Sequence, residues 1–201
     1  MTSNQEARKT EENAAILSDR LTVIPRALEP ERAGLFLDDL LEKADRSEEA
    51  AGLRAFLEAR DSVRNCILGI FANSTYLRDL MLADPARLIR ILNDPPEARI
   101  RRLIEDARIA AAETEADLMR DLRLLKHDLA LTLGIADIGG AIDLDQVTGA
   151  LAGFADAALN ACADAGIKPQ DIDGIACAGE SPVNLAHYLG ITPKWVDATS
   201  V

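Results

Sequence analysis

The pattern of the chain changes at Gly166. From about Glu11 to Ala165, apolar residues recur at helical spacing among charged ones, with Pro, Gly and capping residues at the segment edges. Past Gly166 the pattern shortens to strand, helix, strand. This confines the fold to a mainly α class: a helical bundle-like domain over 11–165 and a short βαβ-like tail over 166–201. Such a tail is an incomplete sheet layer, because two strands cannot bury both faces of a sheet. Residues 1–10 are polar, lack the apolar run of a secretory signal, and read as a disordered tail.

Composition narrows the core. Aromatic residues make up only 3% of the 201 residues, against 48% hydrophobic overall, so Leu, Ile, Val and Ala must fill the interior. That suits helix packed on helix. The net charge of −12 disfavours nucleic acid and anionic membrane as partners. No apolar stretch reaches bilayer-spanning length, and the chain reads as cytoplasmic. Cys66, Cys162 and Cys177 lie far apart with no zinc-type spacing, which points to buried free thiols in a reducing compartment.

Local signals place the helices. Pro30-Glu31 opens one that should bury Leu35, Phe36 and Leu40. Ser47 with Glu48 and Glu49 suits the next start, with Leu53, Phe56 and Leu57 as its stripe. A buried helix over 62–72 ends at Asn73-Ser74, and Ser74 can cap a short helix to Leu82. Asp84-Pro85 and Asp94-Pro95 repeat one device, a capping carboxylate before proline, with helices of about two and five turns to follow. Thr114 with Asp117 resembles a capping box and starts the strongest stripe, Leu118, Leu122, Leu125 and Leu129. The glycines of Gly134–Asp143 should end that helix. Asp145 to Ala165 follows, with Val147, Leu151, Phe154, Ala158 and Ala161 on one side and Gly166 as a left-handed terminator. The strands are expected at Ile172–Ala178 and Lys194–Val201, with a helix from Ser181 to Gly190 between them.

Three ordered stretches carry a family resemblance: Cys66–Leu92 (CILGIFANSTYLRDLMLADPARLIRIL), Asp117–Gly140 (DLMRDLRLLKHDLALTLGIADIGG) and Asp145–Leu159 (DQVTGALAGFADAAL). Together, residues of about 60–160, and more loosely from 11, resemble the N-terminal helical region of the bifunctional glutamine synthetase adenylyltransferase/adenylyl-removing enzymes. The resemblance implies a region that precedes the adenylyl-removing nucleotidyltransferase domain. It implies a family role in transferring AMP to a tyrosine of glutamine synthetase and removing it again, in nitrogen regulation, with ATP and magnesium as the family's cofactors. The implied partners are glutamine synthetase or the catalytic domain itself. It further implies active sites built on a glycine-rich turn followed by paired aspartates that hold magnesium, since in-line phosphoryl transfer requires charge neutralisation by metal and precise positioning.

That turn is not in this sequence. The nearest string, Asp171-Ile172-Asp173, places two carboxylates on one strand face but lacks the phosphate-cradling element upstream, so it reads as a turn before a strand. Asp143-Leu144-Asp145 reads as a helix cap. Residues of about 157–201 are similar to the early part of thiolase-superfamily proteins, through the phrases ADAGIKPQDIDGI and LAHYLGITPKWVDATSV. Thiolases use a nucleophilic cysteine that neither Cys177, inside a strand pattern, nor Cys162, on a helix face, matches. The two resemblances overlap on 157–166, which sets a junction within 156–166. His127 reads as a surface or satisfied histidine, and His187 matches no catalytic thiolase position. Arg90, Arg99, Arg101, Arg102 and Arg108 form a basic group that reads as a solvated face balanced by Glu97, Glu105 and Asp106.

The chain therefore reads as a truncated or fused N-terminal part of the adenylyltransferase, non-catalytic, with no catalytic, cofactor-binding or metal-binding residue of its own. A thiolase-type acyl-CoA acyltransferase segment and a helical interaction scaffold without retained activity are the alternatives.

Overall fold

Prolines and small polar residues start most of the helices. In the computed structural model, which describes residues 15–168, 174–178, 187, 192 and 195–199, the elements run α1 Leu17–Arg20, α2 Pro30–Asp45, a 3₁₀ turn Glu48–Ala50, α3 Leu53–Glu58, α4 Asp61–Asn73, α5 Thr75–Ala83, α6 Pro85–Leu92, α7 Pro96–Arg108, α8 Glu115–Ile138 and α9 Leu144–Asp164, then β1 Gly174–Ala178 and β2 Trp195–Thr199. The fold is mainly α. The expected tail at 1–10, and the helix expected between Ser181 and Gly190 apart from His187, lie outside the described residues. β1 and β2 pair in parallel, with Gly174 opposite Trp195 and Ala178 opposite Thr199.

Capping explains the boundaries. Ser74 accepts from the Leu77 N–H, Asp84 from Arg87 and Thr114 from Asp117. The Thr114 hydroxyl donates to the Asp117 carboxylate, which takes up the group a full capping box would turn toward the Thr114 N–H. Asp143 and Gln146 complete the reciprocal box at the start of α9. Both long helices close in the same way. With φ near +73° at Gly140 and +81° at Gly166, Ala141 donates to Ala136 and Ile167 to Cys162, which satisfies carbonyls that would otherwise face nothing.

Four details differ from the sequence expectation. Leu35 is exposed, because α2 buries Ala33, Leu37, Leu40, Leu41 and Ala44 instead. The segment after Ser47 is not one helix: Ser47 makes no side-chain cap, and Gly52 at φ +89° separates the 3₁₀ turn from α3. Asp94 does not cap α7, whose N-cap is Pro95, and α7 has 13 residues, short of five turns. The glycines of Gly134–Asp143 do end α8, at Gly139 and Gly140, while Gly134 lies inside the helix, packed so closely on Leu77 that a Cβ would lie 2.8 Å from both its methyl groups. Leu151 is exposed, since α9 buries Ala150, Phe154, Ala157 and Ala161, a stripe turned slightly from the expected one. Helix α9 itself runs unbroken through 156–164.

One core of aliphatic residues connects the elements, with Phe71 among its largest fully buried side chains. Helix α8 is central, touching α4, α5, α7 and α9; α9 packs mainly along α7. Residues 16–28 cross these helices as a strap. Leu17 donates to the Asp94 carbonyl, Thr22 and Val23 donate to Gly139, and the Asn73 amide donates to Arg26. Gly69 and Gly139 let the strap lie close: a Cβ at either would overlap Pro25 or Leu21.

Candidate functional site

Two features of the α7–α9 region could carry function: a buried arginine cluster and an apolar groove. The cluster is built by helical spacing. Arg87 falls on the buried stripe of α6 with Leu88, Ile91 and Leu92, and Arg99 falls on that of α7 with Ile100, Leu103 and Ala107. Both arginines are buried. They meet at Asp128 of α8. Arg99 Nη2 donates to Asp128 Oδ2 at 3.0 Å, Nη1 to Asp94 at 2.8 Å and Nε to the Thr132 hydroxyl at 3.3 Å. Arg87 Nε stands 2.8 Å from Asp128 Oδ1. That oxygen lacks an aligned hydrogen bond, so the contact is ionic rather than directional. Arg102 and Arg90 close the outer edge through Asp94 and Asp84.

This corrects the reading of the basic group as a solvated face. Arg99 is interior, and its partners are Asp94 and Asp128 rather than Glu97, Glu105 or Asp106. Arg108 does pair with Glu105. Glu97 pairs instead with Arg20 of α1, at 2.7 Å, and also accepts from Gln146. Arg101 is exposed and makes no ion pair among the described residues. Arg87, Asp128 and Thr132 were not singled out from sequence, although their positions on apolar stripes marked them: a charge at a buried helical register needs a partner.

The cluster does not fit a nucleotide–metal centre. Its carboxylates are already held by arginine, and no three His, Cys, Asp or Glu side chains converge among the described residues. Asp171 and Asp173 lie outside those residues; Asp143 caps α9, as expected. His127 is half-buried beside the cluster, and burial, with the charges of Arg87, Lys126 and Arg123, lowers its pKa. His187 is exposed.

The groove lies between α8 and α9, with a volume of about 290 Å³. Leu122, Phe154, Ala158 and Cys162 form its floor and walls, and Met119 and Leu159 stand at its rim, 44% and 36% exposed. Cys162 is therefore half-buried groove wall rather than core, with its thiol pushed up by burial and by the Glu115 charge. Cys66 is fully buried, and burial pushes its thiol up to about 11. No helix among the described residues is long and apolar enough to cross a membrane.

Comparison with known proteins places this helical array. The glutamate-ammonia ligase adenylyltransferase family profile matches residues 65–181, which extends past the junction expected within 156–166. The bifunctional glutamine synthetase adenylyltransferase/adenylyl-removing enzyme of Xanthobacter autotrophicus is 42% identical over 151 residues, 70% of this chain and 15% of that protein. Those of Bradyrhizobium sp. and Caulobacter vibrioides are 40% and 39% identical over 146 residues, 72% of this chain each. The chain thus spans about 15% of the length of the curated relatives it matches. No solved structure matches it.

Proposed function

We infer a packing role from the family to which this chain belongs, the glutamate-ammonia ligase adenylyltransferases. The helical array over 11–165 serves as the region that precedes the adenylyl-removing nucleotidyltransferase domain, and it acts by seating that domain or glutamine synthetase in the cytoplasm. The activities that the relatives are named for, adenylyl transfer and removal, belong to this reading as the activity of the assembly; ATP and magnesium enter at the catalytic domain. The observation that carries it is the match over 65–181 to a family whose matched members are far longer than the matched part. The reading is supported by the apolar groove, which is the kind of surface a neighbouring domain covers. Sedimentation velocity of the chain mixed with each candidate partner tests it: co-sedimentation at micromolar concentrations is expected with at least one, and none with either overturns it.

A second reading draws on the parallel pairing of β1 and β2, which a βαβ unit requires. On it, 157–201 is a thiolase-type acyl-CoA acyltransferase segment joined to the helical domain. Stabilisation of the chain by acyl-CoA in a thermal melt is its expected signature, and an unchanged melt counts against it.

A further inference from the structure

We propose that the groove between α8 and α9 seats an amphipathic helix of a partner protein, one that carries carboxylates beside its apolar stripe. The inference deepens the packing role and rests on it. Three observations carry it.

The floor is apolar and open, and the apolar surface continues onto α9. Leu151 is 51% exposed on the same helix that buries Phe154 and Ala157. Helix α9 has only three charged residues, Asp145, Asp156 and Asp164, in 21. A helix so apolar on several faces is normally covered on more than one side.

The α8 rim is cationic in an acidic chain, while the Glu115 charge reaches Cys162 in the opposite wall. Arg123 and Lys126 line the groove, are exposed, and make no ion pair among the described residues. Arg87, Arg90, Arg99, Arg102, Arg108 and Arg120 of α6 to α8 are matched by carboxylates, while Arg101 of α7 is exposed and makes no ion pair among the described residues. Two unmatched cations at one edge of a molecule of net charge −12 select against a second copy of this chain and for an acidic occupant.

The dimensions suit a helix. Met119 to Lys126 covers about 10 Å of α8 at 1.5 Å per residue, which is two turns. An occupant would insert apolar side chains at i, i+3 or i+4, and i+7, and reach Arg123 and Lys126 with flanking Glu or Asp.

The test uses the full chain and two fluorescein-labelled synthetic helical peptides. Both carry Leu at i, i+3, i+4 and i+7; one has Glu on the flanks and the other Lys. Anisotropy titration should show the Glu peptide binding at least about tenfold more tightly, a difference of about 1.4 kcal/mol. The preference should invert in the double variant Arg123→Glu/Lys126→Glu, and Met119→Asp/Leu159→Asp should abolish binding of both peptides. Circular dichroism checks that each variant is folded. Equal binding of the two peptides, no binding of either, an uninverted preference, or self-association through Met119 and Leu159 that the Glu peptide does not displace would each overturn the groove assignment. Undiminished association of Met119→Asp/Leu159→Asp with the catalytic domain would overturn it while leaving the packing role standing. Failure of the wild-type chain to bind that domain or glutamine synthetase overturns the packing role itself.

Discussion

Arg99 of α7 places its Nη2 3.0 Å from the Asp128 carboxylate of α8, and through that one carboxylate it meets Arg87 of α6 on the other side. Asp128 thus holds three helices at one point. The arrangement specifies which helix faces meet more than it adds net stability, because desolvation of buried ions offsets much of their attraction. Removing Arg99 is a different matter, since it takes away one of the two arginines that face each of Asp128 and Asp94.

Arg99→Met should therefore destabilise the chain by about 2 kcal/mol, less than a fully broken buried pair, because Arg87 still faces Asp128 and Arg102 still faces Asp94. Urea unfolding of the single variant, of Asp128→Asn and of the double variant measures the coupling. The double variant should lose less than the sum of the singles. Arg99→Lys should not rescue, because one ammonium cannot reach Asp94, Asp128 and Thr132 as the guanidinium fork does.

The strap gives a second prediction. Gly69→Ala sets a methyl group against the Pro25 carbonyl and ring, and Gly139→Ala sets one against Leu21. Each should cost about 1–3 kcal/mol by overpacking. Gly149→Ala, where an added Cβ meets open space in mid-helix, should be neutral or slightly stabilising. Thermal melts of the three variants decide this.

Acid should loosen the same strap. Burial pushes the Glu97 carboxyl up, but the hydrogen bonds from Arg20, its own backbone N–H and Gln146, with the Arg20 charge, outweigh it, so the group titrates below its ordinary value of 4.5. A carboxyl whose folded pKa is depressed contributes stability above its unfolded pKa and loses it as pH falls through the folded value. Glu97→Gln should thus cost most at neutral pH, and the gap to wild type should close as pH drops below about 4, near the ordinary Glu value. Denaturation midpoints across that range measure the gap.

Thiol chemistry separates the groove from the core. Cys162 borders the groove, whereas Cys66 is fully buried with its thiol held up at about 11. Iodoacetamide on the native chain should alkylate Cys162 well before Cys66, which should react only after unfolding. Peptide mapping by mass spectrometry resolves the two sites.

Legibility in the sequence followed the range of the interaction. Ser74, Asp84, Thr114, Asp143 and Gly166 end or start helices where the sequence predicts, because a cap acts over a few residues. Gly134 and Asp94 answer to side chains farther along the chain than a cap reaches. Leu77 presses on the first, and Arg99 and Arg102 draw the second away from a capping role. The mixed charges around Arg99 suggest a solvated face, while its register beside Ile100 and Leu103 puts it inside. The groove had no comparable signal, since a stripe shows which residues are apolar and not whether a neighbour covers them.

Isothermal titration of the chain into a purified adenylyl-removing catalytic domain, and separately into glutamine synthetase, tests the packing role most directly. Saturable binding at micromolar concentrations to at least one of them is predicted, weakened by Met119→Asp/Leu159→Asp. No heat and no complex with either would contradict it.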